Sequence, residues 1–483
     1  MIDGDHRSEF QRDYDRCLFS TPVRRLQDKA QVFPLEPNDS VRTRLTHSLE
    51  VSNLSRAIAE RVGEKLIEKG YIEENQRTDI VFMASTCGLI HDLGNPPFGH
   101  SGEDAMRDWF KSKIKEEGGR KFIQDKKKKK DFLNFEGNAQ TLRLVSKLQM
   151  LGDFSGLNLT LGTLAGSRKY LSESTEVKKL SGQQYKKLGY FQSEKELLEQ
   201  VEKETGTTRF RHPITYLVEA ADDIVYSIID LEDGIKKRVL TWADVRTELY
   251  DLIPEVIKKA ERNIFERAIR QDFTPKRKIE SLESEGREKF GKDNVEDINS
   301  HVHQNSEFIE LSGQSLSEAR MSILRTALMG EHIDAVVGEF FKNYDAIMNG
   351  NYESELVANK HRGEVIKRCK QIAFSRIFGQ SDILKLEIMG RNIIHDLMDH
   401  CWEGIKNFPY EGSDLGKENR KNHPFGYKIY SLLSSNYKTI FEYRFNRCSQ
   451  EDSNYVKLQL LADYICGMTD SFARQLHKEV KNG

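Results

Sequence analysis

Residues 88–103 read Gly88-Leu89-Ile90-His91-Asp92-Leu93-Gly94-Asn95-Pro96-Pro97-Phe98-Gly99-His100-Ser101-Gly102-Glu103. An adjacent His-Asp pair closes an apolar run, and a Gly/Pro-rich turn then delivers a second histidine and a glutamate. The residues before the pair carry helical periodicity: over about Asp79 to Leu93, Ile80, Val81, Met83, Ala84, Cys87 and Ile90 fall inside. Gly94 is placed to end this helix in a left-handed cap. Pro96 and Pro97 cannot extend it, because proline lacks the amide donor and restricts the residue before it. A new helix is expected from Ser101, whose hydroxyl can cap it, with Asp104 as a capping-box partner. The string thus describes two helices joined by a tight turn, with metal-ligating side chains where they meet.

Outward from this string the helical period recurs. From Thr46, the residues His47, Val51, Leu54, Ile58, Val62 and Leu66 form one apolar face that includes His47, and Gly70 marks the stop. Residues 111–131 break the pattern: ten Lys/Arg, including Lys126 to Lys130, read as a solvated basic excursion. Helical patterning resumes with Ala139, Leu142, Val145 and Leu148. Pro213 opens a strong helix whose apolar stripe is Leu217, Val218, Ala221, Val225 and Ile228. The remainder alternates amphipathic stretches with charged connectors, without an internal repeat or a period-2 block large enough for a sheet. The expected fold is all-α, with a catalytic core over 1–240 and a large α-helical C-terminal region over 241–483.

Composition narrows the class. At 37% hydrophobic and 31% charged, with ten prolines, the 483 residues suit a helix-rich globular protein. No apolar run approaches the ~18–20 residues that span a bilayer, and no signal-like segment follows Met1, so the chain reads as cytoplasmic with no membrane partner. The six cysteines are scattered without a CxxC pair, which excludes a zinc ribbon and a disulfide framework. A net charge of −2 provides no global basic field for nucleic acid, so a polyanion must be held by a local pocket.

His47, His91, Asp92 and Asp222 each sit in an apolar helical context, where an unpaired polar side chain is costly. Imidazoles and carboxylates together suit a divalent ion such as Mn, Fe, Co, Ni or Zn, which would satisfy all four at once. Asp222 leads to Tyr226 and Asp230 at successive i+4 steps, so the three share one helix face, whereas Asp223 points away. His395-Asp396-Leu397 repeats the tripeptide without the Gly-Asn-Pro-Pro turn or the trailing His and Glu. That second copy is read as structural.

Arg44-Leu45-Thr46-His47-Ser48, His91 to His100, and Glu219-Ala220-Ala221-Asp222-Asp223-Ile224-Val225-Tyr226 resemble the HD superfamily and, within it, the dGTP triphosphohydrolases. Arg24-Arg25-Leu26-Gln27, Phe135-Glu136-Gly137-Asn138-Ala139-Gln140 and Gly467-Met468-Thr469-Asp470 add to the resemblance, which runs from about residue 10 to 475. It implies one divalent ion per subunit (Mn, Mg, Co or Fe) on His47, His91, Asp92 and Asp222. It implies hydrolysis of dGTP to deoxyguanosine and tripolyphosphate by metal-activated water attacking the α-phosphorus. The 5′-alkoxide leaving group needs a proton, for which His100 is the candidate, with Glu103 one turn away to orient it and raise its pKa. Arg44, one turn before His47, can meet a phosphate with its planar fork. Lys169 and Tyr170 match a phosphate-contact string, Gln31 and Val32 lie at positions near sugar and base, and Asn95 is a polar contact. The equivalent of Tyr226 packs at the deoxyribose C2′ and that of Asp230 addresses the 3′-OH. The resemblance further implies a homo-oligomer, a hexamer by analogy, with single-stranded DNA or a dNTP as effector. Two alternatives stand beside it: an HD phosphohydrolase of broad dNTP or other nucleotide preference, and an HD-scaffold nucleic-acid-binding regulator.

Overall fold

The structure, a computed structural model, describes residues 6–36, 38–149, 155–261, 276–291, 313–357 and 362–482, together with 294, 297, 298 and 301. Every regular element among them is a helix, and the β features are the isolated bridges Ala30–Thr43 and Ser172–Leu188. The all-α expectation holds.

Two long helices position the site. The Arg44–Glu68 helix starts where Thr46 Oγ1 accepts the Thr43 N–H at 3.0 Å, and it buries His47, Val51, Leu54, Ile58, Val62 and Leu66 as the periodicity predicts. It ends at Gly70, which takes a left-handed φ of 70°. The second helix spans Glu74–Ile90, starting earlier than expected because its first turn, Glu74 to Arg77, is polar and invisible to apolar periodicity. The pair runs antiparallel with close backbones. A Cβ on Gly88 would lie 2.9 Å from the Ser52 Cα, and Ser52 Oγ donates to the Ser85 carbonyl at 2.8 Å.

The turn after His91 departs from two expectations. Gly94 is not a left-handed cap; the left-handed residues are Phe98 (φ 61°) and Gly99 (φ 57°). Gly94 is needed for close approach, since a Cβ there would stand 2.2 Å from both the Gly137 carbonyl oxygen and the Thr141 nitrogen. The next helix is Gly99–Glu116, so Ser101 lies inside it rather than capping it. A left-handed phenylalanine costs roughly 1–3 kcal/mol. Its N–H donates to Asp470 Oδ1 at 2.9 Å, which helps to hold that conformation.

The basic stretch is also more regular than its composition suggests. Residues 111–116 complete the Gly99–Glu116 helix, and the lysine run opens the Lys126–Leu133 helix. Asp125 Oδ1 accepts the Lys127 and Lys128 amides, and their ammonium groups reach Glu173 (2.8 Å) and Asp452 (2.6 Å). A terminal cap and two ion pairs offset the helix's own charge repulsion.

The chain forms two compact units. The first comprises 1–225, 336–356 and 380–483, and the second 226–335 and 357–379. The first has a core rich in aromatics, including Trp109, Phe110, Phe132, Phe135, Trp402 and Tyr455. A buried ion network crosses it: Arg143 gives Nε and Nη2 to the two oxygens of Asp463 (2.8 and 2.6 Å) and Nη1 to Glu194 (2.9 Å). The second unit buries Val245, Leu249, Met321, Leu324, Val365 and Cys369.

Candidate metal centre

The antiparallel helix pair places His47, in the first turn of one helix, beside His91, at the end of the other, with ring centroids 5.3 Å apart. Asp222, on the Pro213–Lys236 helix, sets Oδ1 3.3 Å from His47 Nε2 and 3.6 Å from His91 Nε2. The ligand atoms of these three residues lie within 4.8 Å of one another. Donors around one ion at ~2.0–2.2 Å stand roughly 3.0–3.5 Å apart, so the spacing suits a shared divalent ion. His91 Nδ1 is 2.7 Å from the Gly88 carbonyl oxygen. With the proton assigned to Nδ1 by that bond, the Nε2 lone pair faces the cluster.

Asp92 stands next to these three. Its Oδ1 accepts from Asn95 Nδ2 at 2.6 Å, and its Oδ2 accepts from Arg44 Nη1 and lies 3.6 Å from His91 Nε2. Burial pushes the Asp92 carboxyl up, but Arg44 and then His91 and His47 outweigh it and hold the group well below the usual carboxylate range. Burial likewise opposes ionisation of Asp222, and the His47 hydrogen bond, His91 and Lys169 overcome it. Both carboxylates are therefore ionised at neutral pH, as ligation of a cation requires. Arg44 is buried and committed to Asp92 and, through Nε, to the Ala30 carbonyl at 3.2 Å. Asn95 orients Asp92, and its own carbonyl accepts from Lys29 at 2.6 Å.

His100 lies in the first turn of the Gly99–Glu116 helix with its side chain open to solvent. Its pKa is nevertheless lowered, first by the protein packed on its inner side and then by Arg44 and Lys187, against Asp92 and Glu136. Glu103 is not among the leading groups that act on this pKa. Glu103 is buried, with Oε1 on Arg107 Nη1 and Oε2 accepting the Gly137 N–H at 3.1 Å. A buried carboxylate takes the strongest donors available, and these are a guanidinium and a backbone amide.

The remaining expected contacts are spread more widely. Lys169 Nζ is 3.7 Å from Asp222 Oδ2 and 4.0 Å from Glu219 Oε1. The neighbouring Tyr170 ring lies under Lys187, whose Nζ is 5.8 Å from its centroid. Gln31 and Val32 are half-buried, and the Gln31 Oε1 accepts no hydrogen bond from the described residues. Tyr226 and Asp230 belong to the second unit, where the Tyr226 ring stacks on Phe378 at 6.5 Å and Asp230 is buried.

An HD domain family model matches residues 44–151. A deoxyguanosinetriphosphate triphosphohydrolase-like protein of Listeria monocytogenes is 33% identical over 483 residues, covering 99% of this chain and 94% of its own. One from Pseudomonas aeruginosa is 31% identical, with 98% and 93% covered. The chain belongs to the deoxyguanosinetriphosphate triphosphohydrolase family. A protein of Klebsiella pneumoniae named deoxyguanosinetriphosphate triphosphohydrolase is 29% identical, with 96% and 92% covered.

As a member of this family the chain is an HD phosphohydrolase. The matched HD segment holds His47, His91, Asp92, His100 and Glu103, while Asp222 lies beyond it. Among the described residues no helix is long and apolar enough to cross a membrane. The centre also depends on residues to which the sequence reading assigned no role. Asp470 accepts from Phe98 N and Ala30 N (2.9 and 3.0 Å), and Lys29 donates to the carbonyls of Asn95 and Cys466 (2.6 and 2.7 Å). Buried Glu136 accepts the Asn138 N–H at 2.6 Å and the Nζ of half-exposed Lys187 at 3.0 Å, placing this ion pair near His100. The Gly467-Met468-Thr469-Asp470 string was the available signal for Asp470. Nothing in the local pattern marked Lys187.

Proposed function

We propose that this chain is a metal-dependent dGTP triphosphohydrolase that releases deoxyguanosine and intact tripolyphosphate. The observation that carries the reading is the convergence of His47, His91 and Asp222 on one point, with the ionised Asp92 beside it. A divalent ion (Mn, Mg, Co or Fe) held by these four supplies Lewis acidity toward a phosphoryl oxygen and a lowered pKa for water. Arg44 and Asn95 keep Asp92 ionised and oriented toward that ion. Lys169 and Tyr170 contact the phosphates, and Gln31 with its unengaged carbonyl oxygen meets the sugar or base edge beside Val32. Tyr226 and Asp230 take the deoxyribose.

His100 delivers the proton to the departing 5′-oxygen. Its pKa is low without substrate, first because the protein packed on it disfavours the charged ring and then because Arg44 and Lys187 face it; a bound triphosphate brings the negative charge that raises it. Glu103 serves by tying the helix that carries His100 to the Gly137 amide. The proposal includes the division into a 1–240 core and a 241–483 region that completes the substrate pocket and oligomer contacts. It also includes assembly into a homo-oligomer responsive to a dNTP or single-stranded DNA, in the cytoplasm.

The test is product analysis with each of the four dNTPs in Mn or Mg. Tripolyphosphate released chiefly from dGTP supports the reading, and inorganic phosphate or pyrophosphate overturns it. Equal turnover of all four moves the chain to the broad-preference alternative.

A further inference from the structure

Lys169 is poised between two carboxylates, 3.7 Å from Asp222 and 4.0 Å from Glu219. Both distances exceed hydrogen-bonding range, so neither carboxylate consumes its N–H donors. Glu219 precedes Asp222 by about one turn on the same helix. Its other oxygen, Oε2, accepts from Arg211 Nη1 at 2.5 Å. Arg211 is 1% exposed and lies over the Tyr216 ring at 4.6 Å, and the Tyr216 hydroxyl donates to the Tyr352 carbonyl at 2.6 Å. This backing keeps the Glu219 carboxylate from turning to close on the ammonium, and it shares the glutamate's charge.

We propose that Glu219, braced by Arg211, is a positioning residue that holds Lys169 at the edge of the metal centre, with its donors directed to an incoming phosphate. The inference rests on the phosphate-binding reading of Lys169 given above. Asp222, a residue needed for the ion, is the nearer of the two carboxylates, and without Glu219 its pull on Lys169 has no counterweight on that helix. A lysine drawn onto Asp222 would compete with the metal and turn away from substrate. A second carboxylate one turn earlier balances that pull.

Calorimetry with inorganic tripolyphosphate on the full chain in Mn tests the idea without turnover. Glu219→Gln is expected to weaken binding by about five- to tenfold, with no further loss in a Lys169→Met background, as residues acting through one another do. In dGTP hydrolysis the same substitution should raise KM by that factor and alter kcat by less than about twofold. Binding that stays equal or tightens, as simple removal of a negative charge would give, overturns the proposal, as does an equal loss in both backgrounds. Should Glu219→Gln fail to melt cooperatively, Arg211→Lys keeps the charge and loses the fork; a weakening of about threefold is then expected, and unchanged binding overturns the idea. A wild-type chain that neither binds tripolyphosphate nor hydrolyses any dNTP removes both the proposal and the reading beneath it, whereas hydrolysis without the coupling removes the proposal alone.

Discussion

His91-Asp92-Leu93 and His395-Asp396-Leu397 are the same tripeptide in two settings. The first follows the end of a helix, where the N–H donors for the last carbonyls run out and a tight turn can set both side chains toward a neighbouring helix. Its aspartate faces two histidines, an arginine and an asparagine. The second lies inside the Ser381–Ile405 helix. Asp396 there accepts from His477 Nε2 at 2.7 Å and from Lys481 Nζ, both on the Asp470–Asn482 helix, and it ties two helices together. The pair is a metal-site element only where the fold adds a second histidine and a second carboxylate. Its local chemistry is otherwise that of an ordinary interhelical clasp.

The largest expected contrast is catalytic. Asp92→Ala should lower kcat/KM for dGTP by ~10³-fold or more, since it removes a metal ligand or its orientation, whereas Asp396→Ala should leave it within about twofold. Hydrolysis that survives Asp92→Ala would break the comparison and the assignment of the centre with it. A chelator should abolish activity and added Mn should restore it, in the wild type and in Asp396→Ala alike.

Stability gives the next contrast. Asp463→Ala takes two of the carboxylate bonds from the buried Arg143 and leaves it Glu194 alone as a carboxylate partner among the described residues, and denaturant titration should report a loss of ~3–5 kcal/mol, the usual cost of breaking a buried pair. Asp396→Ala removes half-exposed pairs, worth ~0–1 kcal/mol. Equal losses would mean that the C-terminal clasp stabilises the fold as much as the Arg143–Asp463 network does, and would break this contrast.

The smallest effect is a pH dependence. Burial pushes the Asp396 carboxyl up, but Lys481 and His477 outweigh it, so its folded pKa lies below the ordinary value. A depressed carboxylate stabilises above its unfolded pKa, ~3.9, and that contribution fades as pH falls through the folded value. Asp396→Asn should therefore lower Tm slightly at pH 7, by ~1 °C, and by less near pH 3. A difference that grows on acidification would reverse the assigned sign.

Much of this architecture was legible in local pattern. His47 shares a spacing of three and four with Val51, Leu54 and Ile58, so its burial followed from the helical period alone. Asp222 rather than Asp223 approaches the histidines, as the face shared with Tyr226 and Asp230 implied. The polar start of the Glu74–Ile90 helix was not legible, because apolar periodicity has nothing to count there. Gly94 was read as a cap because glycine after a helix commonly is one, and its actual constraint, the backbone of residues 137–141, lies more than forty positions away.

By itself, then, the amino-acid sequence determined the helical class, the inward faces, the ligand types and the family, all of which follow from short-range periodicity and residue chemistry. Only the tertiary structure decided what each polar group does with its remaining bonds. Glu103 turned to Arg107 and Gly137, Asp470 came from the far end of the chain to hold Phe98, and Asp463 met Arg143 across 320 residues. A buried charge must find its partner wherever the fold brings one, and no local spacing records that choice.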